Sequence, residues 1–152
     1  METISLALDR FQGVKRRMEI LASCEDYVIY DDFAHHPTEI FKTLSSLREK
    51  IGNDQIIAVI EPRSRTMQSG LHDKEMAKAL SPADSVIWYE GQDVKRSMSA
   101  ELKKAKAEVY FAANISEIIQ ITRQIKTTKS NIVIMSNGDF SGLRELIKKE
   151  LD

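Results

Sequence analysis

The sequence predicts an α/β fold: a doubly wound, mainly parallel sheet of about six strands flanked by helices, its first strands free to run antiparallel at one edge. Three observations carry this. Short β-favouring apolar runs recur along the chain, at 27–32, 55–60, 85–89, 108–112 and 131–135. Stretches with apolar residues at helical spacing separate them, and strictly alternating β and α segments fold into parallel sheets with right-handed crossovers. The run at 55–60 is apolar almost throughout, the pattern of a strand buried on both faces.

In chain order, residues 3–11 place Ile4, Leu8 and Phe11 at helical spacing behind a capping Thr3, and Gly13 ends that helix. Residues 14–22 read as a strand in which Val14, Arg16, Met18 and Ile20 alternate with Lys15, Arg17 and Glu19, so that Lys15 and Arg17 share a face. That face either holds phosphate or is simply solvated. The strand at 27–32 ends in Asp31 and Asp32, and the next helix starts with His36 as N-cap, Pro37 at its first position and Glu39 in its first turn. Its apolar stripe is Ile40, Phe41, Leu44, Leu47 and Ile51. The strand at 55–60 runs into a loop bearing Arg63 and Arg65, whose guanidinium forks suit carboxylate or phosphate.

The second half repeats the pattern. A helix at 73–80 turns Met76, Ala77 and Leu80 inward behind His72, and the strand at 85–89 carries Trp88 as a core or crevice-wall aromatic. Residues 90–99 form a polar loop containing Lys95 and Arg96, and 100–107 read as a charged helix. After the strand at 108–112, Asn114 and Glu117 make a loose capping box, followed by the stripe Ile115, Ile118, Ile119, Thr122 and Ile125. The last strand, 131–135, leads through the Gly-containing loop 136–142 into a terminal helix with Leu143, Leu146, Ile147 and Leu151 inward. A loop of that kind between strand and helix is a ready anion site.

Composition narrows the class of function. One hundred and fifty-two residues, 42% hydrophobic and 30% charged, fit a single globular domain. A formal net charge of −1 gives no long-range field for nucleic acid or an anionic membrane. The one cysteine, Cys24, excludes an internal disulfide and agrees with the cytoplasm, and no apolar run approaches a bilayer span. Neither G-x-x-x-x-G-K-[S/T] nor G-x-G-x-x-G occurs, so no complete nucleotide fingerprint is present.

Chemistry therefore has to come from strand ends. Asp31, Asp32, His35 and His36 crowd one of them, and three readings stand: a ligand crevice, a binding module without a reaction of its own, and a metallohydrolase. Adjacent strand residues point to opposite faces, which works against two neighbouring aspartates sharing an ion.

Three blocks, Gly13-Val-Lys-Arg-Arg-Met-Glu19, Asp31-Asp-Phe-Ala-His-His-Pro-Thr-Glu39 and Glu61-Pro-Arg-Ser-Arg-Thr-Met67, resemble in order and spacing the C-terminal domain of the Mur ligase family. The paired-Asp, paired-His block is similar to the L-alanine-adding branch. The Glu-Pro-Arg block is similar to the branch that recycles L-Ala-γ-D-Glu-meso-diaminopimelate. The resemblance implies a Rossmann-like domain over residues 13–152, with 1–12 the tail of a linker from a central domain that binds ATP and Mg²⁺.

It further implies an ADP-forming ligase that phosphorylates the lactyl carboxylate of UDP-N-acetylmuramate, the peptide amine then attacking the acyl phosphate. By the same resemblance, Arg17 and Lys15 meet nucleotide phosphate and Asp32 the ribose hydroxyls. His35, with Phe33, His36, Arg63 and Arg65, orients the peptide, and Ser136 and Asn137 lie beside the incoming amino acid. No catalytic residue and no metal ligand is expected in this domain, and the chain alone is expected to fold without ligating.

Overall fold

Strands β3 (Ile56–Ile60) and β6 (Ser130–Met135) lie at the centre of the sheet, and every residue in both is buried. The computed structural model describes residues 15–63, 72–91 and 98–151. Around the central pair stand β1 (Glu19–Ser23), β2 (Tyr27–Asp32), β4 (Ser85–Tyr89) and β5 (Glu108–Ala112), in the order β1-β2-β6-β3-β4-β5. β1 runs antiparallel to β2 at the edge, and every other pairing is parallel. The mainly parallel sheet with an antiparallel edge is thus as expected.

Alternation along the strands builds two cores. Ile56, Ala58 and Ile60 join Val133, Met135 and Trp88 beneath α1 (Pro37–Ile51), α2 (Asp73–Ala79) and α3 (Ser99–Leu102). Ile57 and Val59 join Ile29, Ile132, Ile134 and Ile87 beneath α4 (Ile115–Ile125) and α5 (Leu143–Leu151). The two-fold period of the pleat sends neighbouring residues to opposite layers, so a slip of one residue would invert both cores.

The helix starts are local chemistry. His36 Nδ1 accepts from the Thr38 N–H at 3.3 Å while the Glu39 carboxylate reaches back to the His36 N–H at 3.4 Å, closing the box around Pro37. Gly52 ends α1 at φ 66°, its N–H donating to Arg48 O at 3.0 Å. Asn114 Oδ1 accepts from the Glu117 N–H at 2.9 Å and starts α4. Among the described residues no helix is long and apolar enough to cross a membrane.

Four expectations are corrected. Residues 15–18 are a turn, and the strand begins only at Glu19. The cause is long-range: Asp32 Oδ2 captures the Met18 N–H at 2.9 Å, and Arg16 and Met18 adopt φ of 57° and 51°, which no strand allows. Lys15 and Arg17 are both exposed, but not as alternating residues of one strand face. Phe41 and Leu146, placed inward by helical spacing, are 45% and 43% exposed, because each lies at the margin of its stripe where a small rotation decides the side. The helix expected over 100–107 is the single turn Ser99–Leu102. Beyond it the chain closes i→i+3 bonds, Lys104 N–H to Glu101 O and Ala105 N–H to Leu102 O, and so turns into β5. The helix at 3–11 and the residues Arg65, Lys95 and Arg96 lie outside the described residues.

Connections from β2 and β3 leave toward the α1–α2 layer, whereas β6 leaves toward α5 on the opposite layer. The order therefore reverses at β6. A crevice opens where adjacent strands send their connections to opposite faces, and here that point is the carboxyl ends of β2, β6 and β3.

Candidate functional site

The loops at this point are tied together by backbone first. Ser136 N–H donates to Asp32 O at 3.1 Å, Glu61 N–H to Met135 O at 3.1 Å and Phe33 N–H to Arg16 O at 2.8 Å, so the ladder continues past the strands and fixes the crevice floor. Asp31 and Asp32, both 2% exposed, then divide as adjacent strand residues must. Asp32 turns to the α1 side and accepts from the Ala34 N–H at 2.8 Å and the Met18 N–H at 2.9 Å. Asp31 turns to the α5 side, 3.3 Å from Arg16 Nε and 2.8 Å from Arg144 Nε. A carboxylate buried this deeply requires such partners.

Arg16 and Arg144 extend that arrangement to the loop after β6. Arg16 Nη2 donates to Ser136 O and to Gly138 O, the latter at 2.9 Å. Arg144 Nη1 donates to Gly138 O at 3.2 Å and Asp139 O at 2.6 Å. Ser136, fully buried, gives its hydroxyl to the Glu61 carboxylate and accepts from the Gly138 N–H at 2.9 Å. A Cβ on Gly138 would overlap the Arg63 guanidinium and stand 2.9 Å from its Cδ, so the loop carries glycine where Arg63 crosses it. Three guanidinium groups therefore meet around one glycine.

The rim is built from the loop between β2 and α1 and the first turn of α1. His35 Nδ1 lies 3.1 Å from Phe33 O and 3.6 Å from Glu39 Oε2, its ring edge-on to Phe33 at 5.6 Å, and the Arg16 guanidinium covers the other part of that ring at 5.0 Å. Burial works to raise the Glu39 pKa, but the backbone N–H groups of His35 and His36 and the charges of His35 and Arg17 outweigh it and hold the carboxyl below its ordinary value. Glu39 therefore stays ionised and keeps the cap closed in neutral solution. His36 is engaged in that cap and packs edge-on against His72 at 4.8 Å.

Of the residues expected here from sequence, Phe33, His35, His36, Arg63, Ser136 and Asn137 all lie on the loops that leave these strand ends, with Lys15, Arg17 and Asp32 on and beneath the adjoining turn. They differ in exposure. Lys15, Arg17 and Arg63 face solvent; His35, His36 and Asn137 are half-buried, with Asn137 Oδ1 enclosed and without a hydrogen bond; Asp32 and Ser136 are sealed. A ribose contact through Asp32 would have to compete with two backbone N–H groups, and in this structure its carboxylate organises the turn that presents Arg17. Sequence reasoning placed Asp31 at this strand end only as a candidate metal ligand, and missed Arg16, Glu61 and Arg144. Their partners lie far away in the chain, and no local spacing announces them.

What can this arrangement hold? Exposed guanidinium groups at these strand ends suit phosphate and carboxylate. Among the described residues no three His, Cys, Asp or Glu side chains gather to hold a metal ion. Asp31 and Asp32 are committed to different partners on opposite faces, which speaks against the metallohydrolase alternative. At the other end of the sheet a comparable network ties loops together: Arg48 binds the carbonyls of Gly52, Asp54 and Pro82 and pairs with Asp84 at 2.6 Å.

A family model described as the glutamate ligase domain of Mur ligases matches residues 16–138. The UDP-N-acetylmuramate--L-alanyl-gamma-D-glutamyl-meso-2,6-diaminoheptandioate ligase of Haemophilus influenzae is 34% identical over 152 residues, covering 99% of this chain and 34% of the relative. A UDP-N-acetylmuramate--L-alanine ligase of Streptococcus agalactiae is 47% identical over 146 residues, covering 92% of this chain and 32% of the relative. Among solved structures, a murein peptide ligase of Psychrobacter arcticus superposes with a TM-score of 0.82 at 34% identity, covering 98% of this chain and 32% of that one. The chain spans about a third of the length of the curated relatives it matches.

Proposed function

The chain belongs to the Mur ligase family, as its glutamate ligase domain, and from that premise we propose that it is the C-terminal part of an ATP-dependent, ADP-forming ligase. The whole protein joins L-Ala-γ-D-Glu-meso-diaminopimelate to UDP-N-acetylmuramate, through an acyl phosphate, in cytoplasmic murein recycling. The observation that carries this is the meeting of three motif blocks at one sheet edge: the turn at 15–18, the β2–α1 loop and the start of the Glu61 loop, all beside the loop after β6. Similarity over 99% of the chain to the tripeptide-joining relative narrows the substrate.

Within that reading, Arg17 with Lys15 meets nucleotide phosphate on the exposed turn that Asp32 shapes. Arg63 and Arg65 take the peptide's carboxylates, and His35, backed by Phe33, orients the peptide beside Asn137. His36 and Ser136 support this by fixing the α1 start and the β6 loop. ATP with Mg²⁺ supplies the activating phosphoryl group; the phosphate cradle and metal carboxylates belong to another domain of the same chain. This domain holds the nucleophile in line and closes water out of the centre.

A second reading, ligation of L-alanine alone, is favoured by the 47% identity to the Streptococcus agalactiae enzyme. The two are separated by ADP release from the whole protein given UDP-N-acetylmuramate and ATP. We expect the tripeptide to be used about a hundredfold better than L-alanine, since a site built for extra polar groups discriminates strongly against a substrate lacking them. A preference for L-alanine selects the second reading.

A further inference from the structure

Arg144 belongs to none of the motif blocks, yet together with Arg16 it joins the buried carboxylate of β2 to the loop after β6. Its side chain is 15% exposed; Nε sits 2.8 Å from Asp31 Oδ1 while Nη1 donates to the carbonyls of Gly138 at 3.2 Å and Asp139 at 2.6 Å. Arg16 grips the same carbonyl of Gly138 from the other side, at 2.9 Å, and the same carboxylate at 3.3 Å. With their oxygens turned inward onto these guanidinium groups, the peptide units of the loop are held in one orientation.

Two features show that this orientation is imposed. Phe140 and Ser141 occupy the left-handed region, at φ 54° and 49°, without being glycine, a conformation held only where the surroundings over-determine it. Arg63 also passes directly over Gly138, so any movement of that glycine moves the guanidinium resting on it. A single aspartate flanked by two arginines is thus a mechanical brace under the peptide-facing rim.

We infer that Arg144 is a positioning residue for the peptide substrate, acting through Asp31 and the Gly138 and Asp139 carbonyls on Asn137 and Arg63. The inference rests on the ligase reading above. A planar fork can span one carboxylate and two carbonyls at once; a point-charge ammonium cannot. Loss of the fork loosens the peptide side of the crevice and leaves the turn that presents Arg17 under Asp32's control.

The test is steady-state kinetics of the whole protein carrying Arg144→Met or Arg144→Lys, with ATP and tripeptide varied separately and the thermal midpoint recorded. We expect KM for the tripeptide to rise about tenfold in Arg144→Met, KM for ATP to stay within about twofold, and Arg144→Lys to fold as the wild type does while recovering only part of the loss. An unchanged tripeptide KM in a folded variant, or equal rises in both KM values, overturns the positioning role while the wild type still ligates. A wild-type protein that releases no ADP with tripeptide overturns the ligase reading, and this inference with it.

Discussion

Asp31→Ala is expected to destabilise the domain by about 3 kcal/mol, at the low end of the range for removing one member of a buried ionic cluster. Asp31 is 2% exposed and balances two arginines, whose side chains are 29% and 15% exposed. Removing it leaves Arg16 and Arg144 facing each other across a site from which water is largely excluded. Partial exposure of Arg16 lets part of that charge escape to solvent, which keeps the effect below the full buried-pair cost. Urea unfolding of the 152-residue chain measures it, and a loss under about 1 kcal/mol would mean the cluster contributes little. Removing Arg144 together with Asp31 should cost less than the sum of the two separate losses, since both single changes lose the same ion pair and the double change removes the guanidinium that Asp31→Ala strands.

Gly138→Ala is expected to do the opposite: little harm to the fold and heavy damage to use of the peptide. The added methyl overlaps the Arg63 guanidinium and stands 2.9 Å from Arg63 Cδ, so the side chain has to leave its place across the loop. The core is not touched, because the atoms that the methyl meets belong to an exposed side chain. Stability should stay within about 1 kcal/mol of wild type. A reacting-site group displaced by about 1 Å loses on the order of a hundredfold, which we expect in kcat/KM for the tripeptide. Kinetics of the whole protein beside a melting curve distinguish this from a folding defect. A variant with normal kcat/KM would show that Arg63 need not rest on Gly138.

How far the chain could be read in advance follows from how local each determinant is. The start of α1 is written in five consecutive residues, and His36, Pro37 and Glu39 stand as the cap chemistry requires. β4 and β5 likewise match their apolar runs at both ends. The strand read at 14–22 started too early, because alternating Lys and Arg look alike in an edge strand and in an exposed turn. What decides between them is the Met18 N–H bound to Asp32, fourteen residues away.

Site legibility has the same limit. The ligand roles proposed for His35 and Arg63 were expected from their place after strand ends, and that of Arg17 from the family resemblance. The brace beneath them was not, since Asp31 meets Arg144 across most of the chain's length and Glu61 meets Ser136 between two different strands. Phe41 and Leu146 mark a further limit, because helical spacing locates a stripe but not its margins.

The proposed function requires substrates to meet this domain at the carboxyl ends of β2, β6 and β3, which hydrogen exchange of the whole protein, with and without a non-hydrolysable ATP analogue and the tripeptide, can detect. Slowed exchange is expected at 15–18, 33–39, 61–63 and 136–139 when both are bound. Protection confined to the opposite end of the sheet, around Arg48 and Asp84, with these segments unchanged, would contradict it.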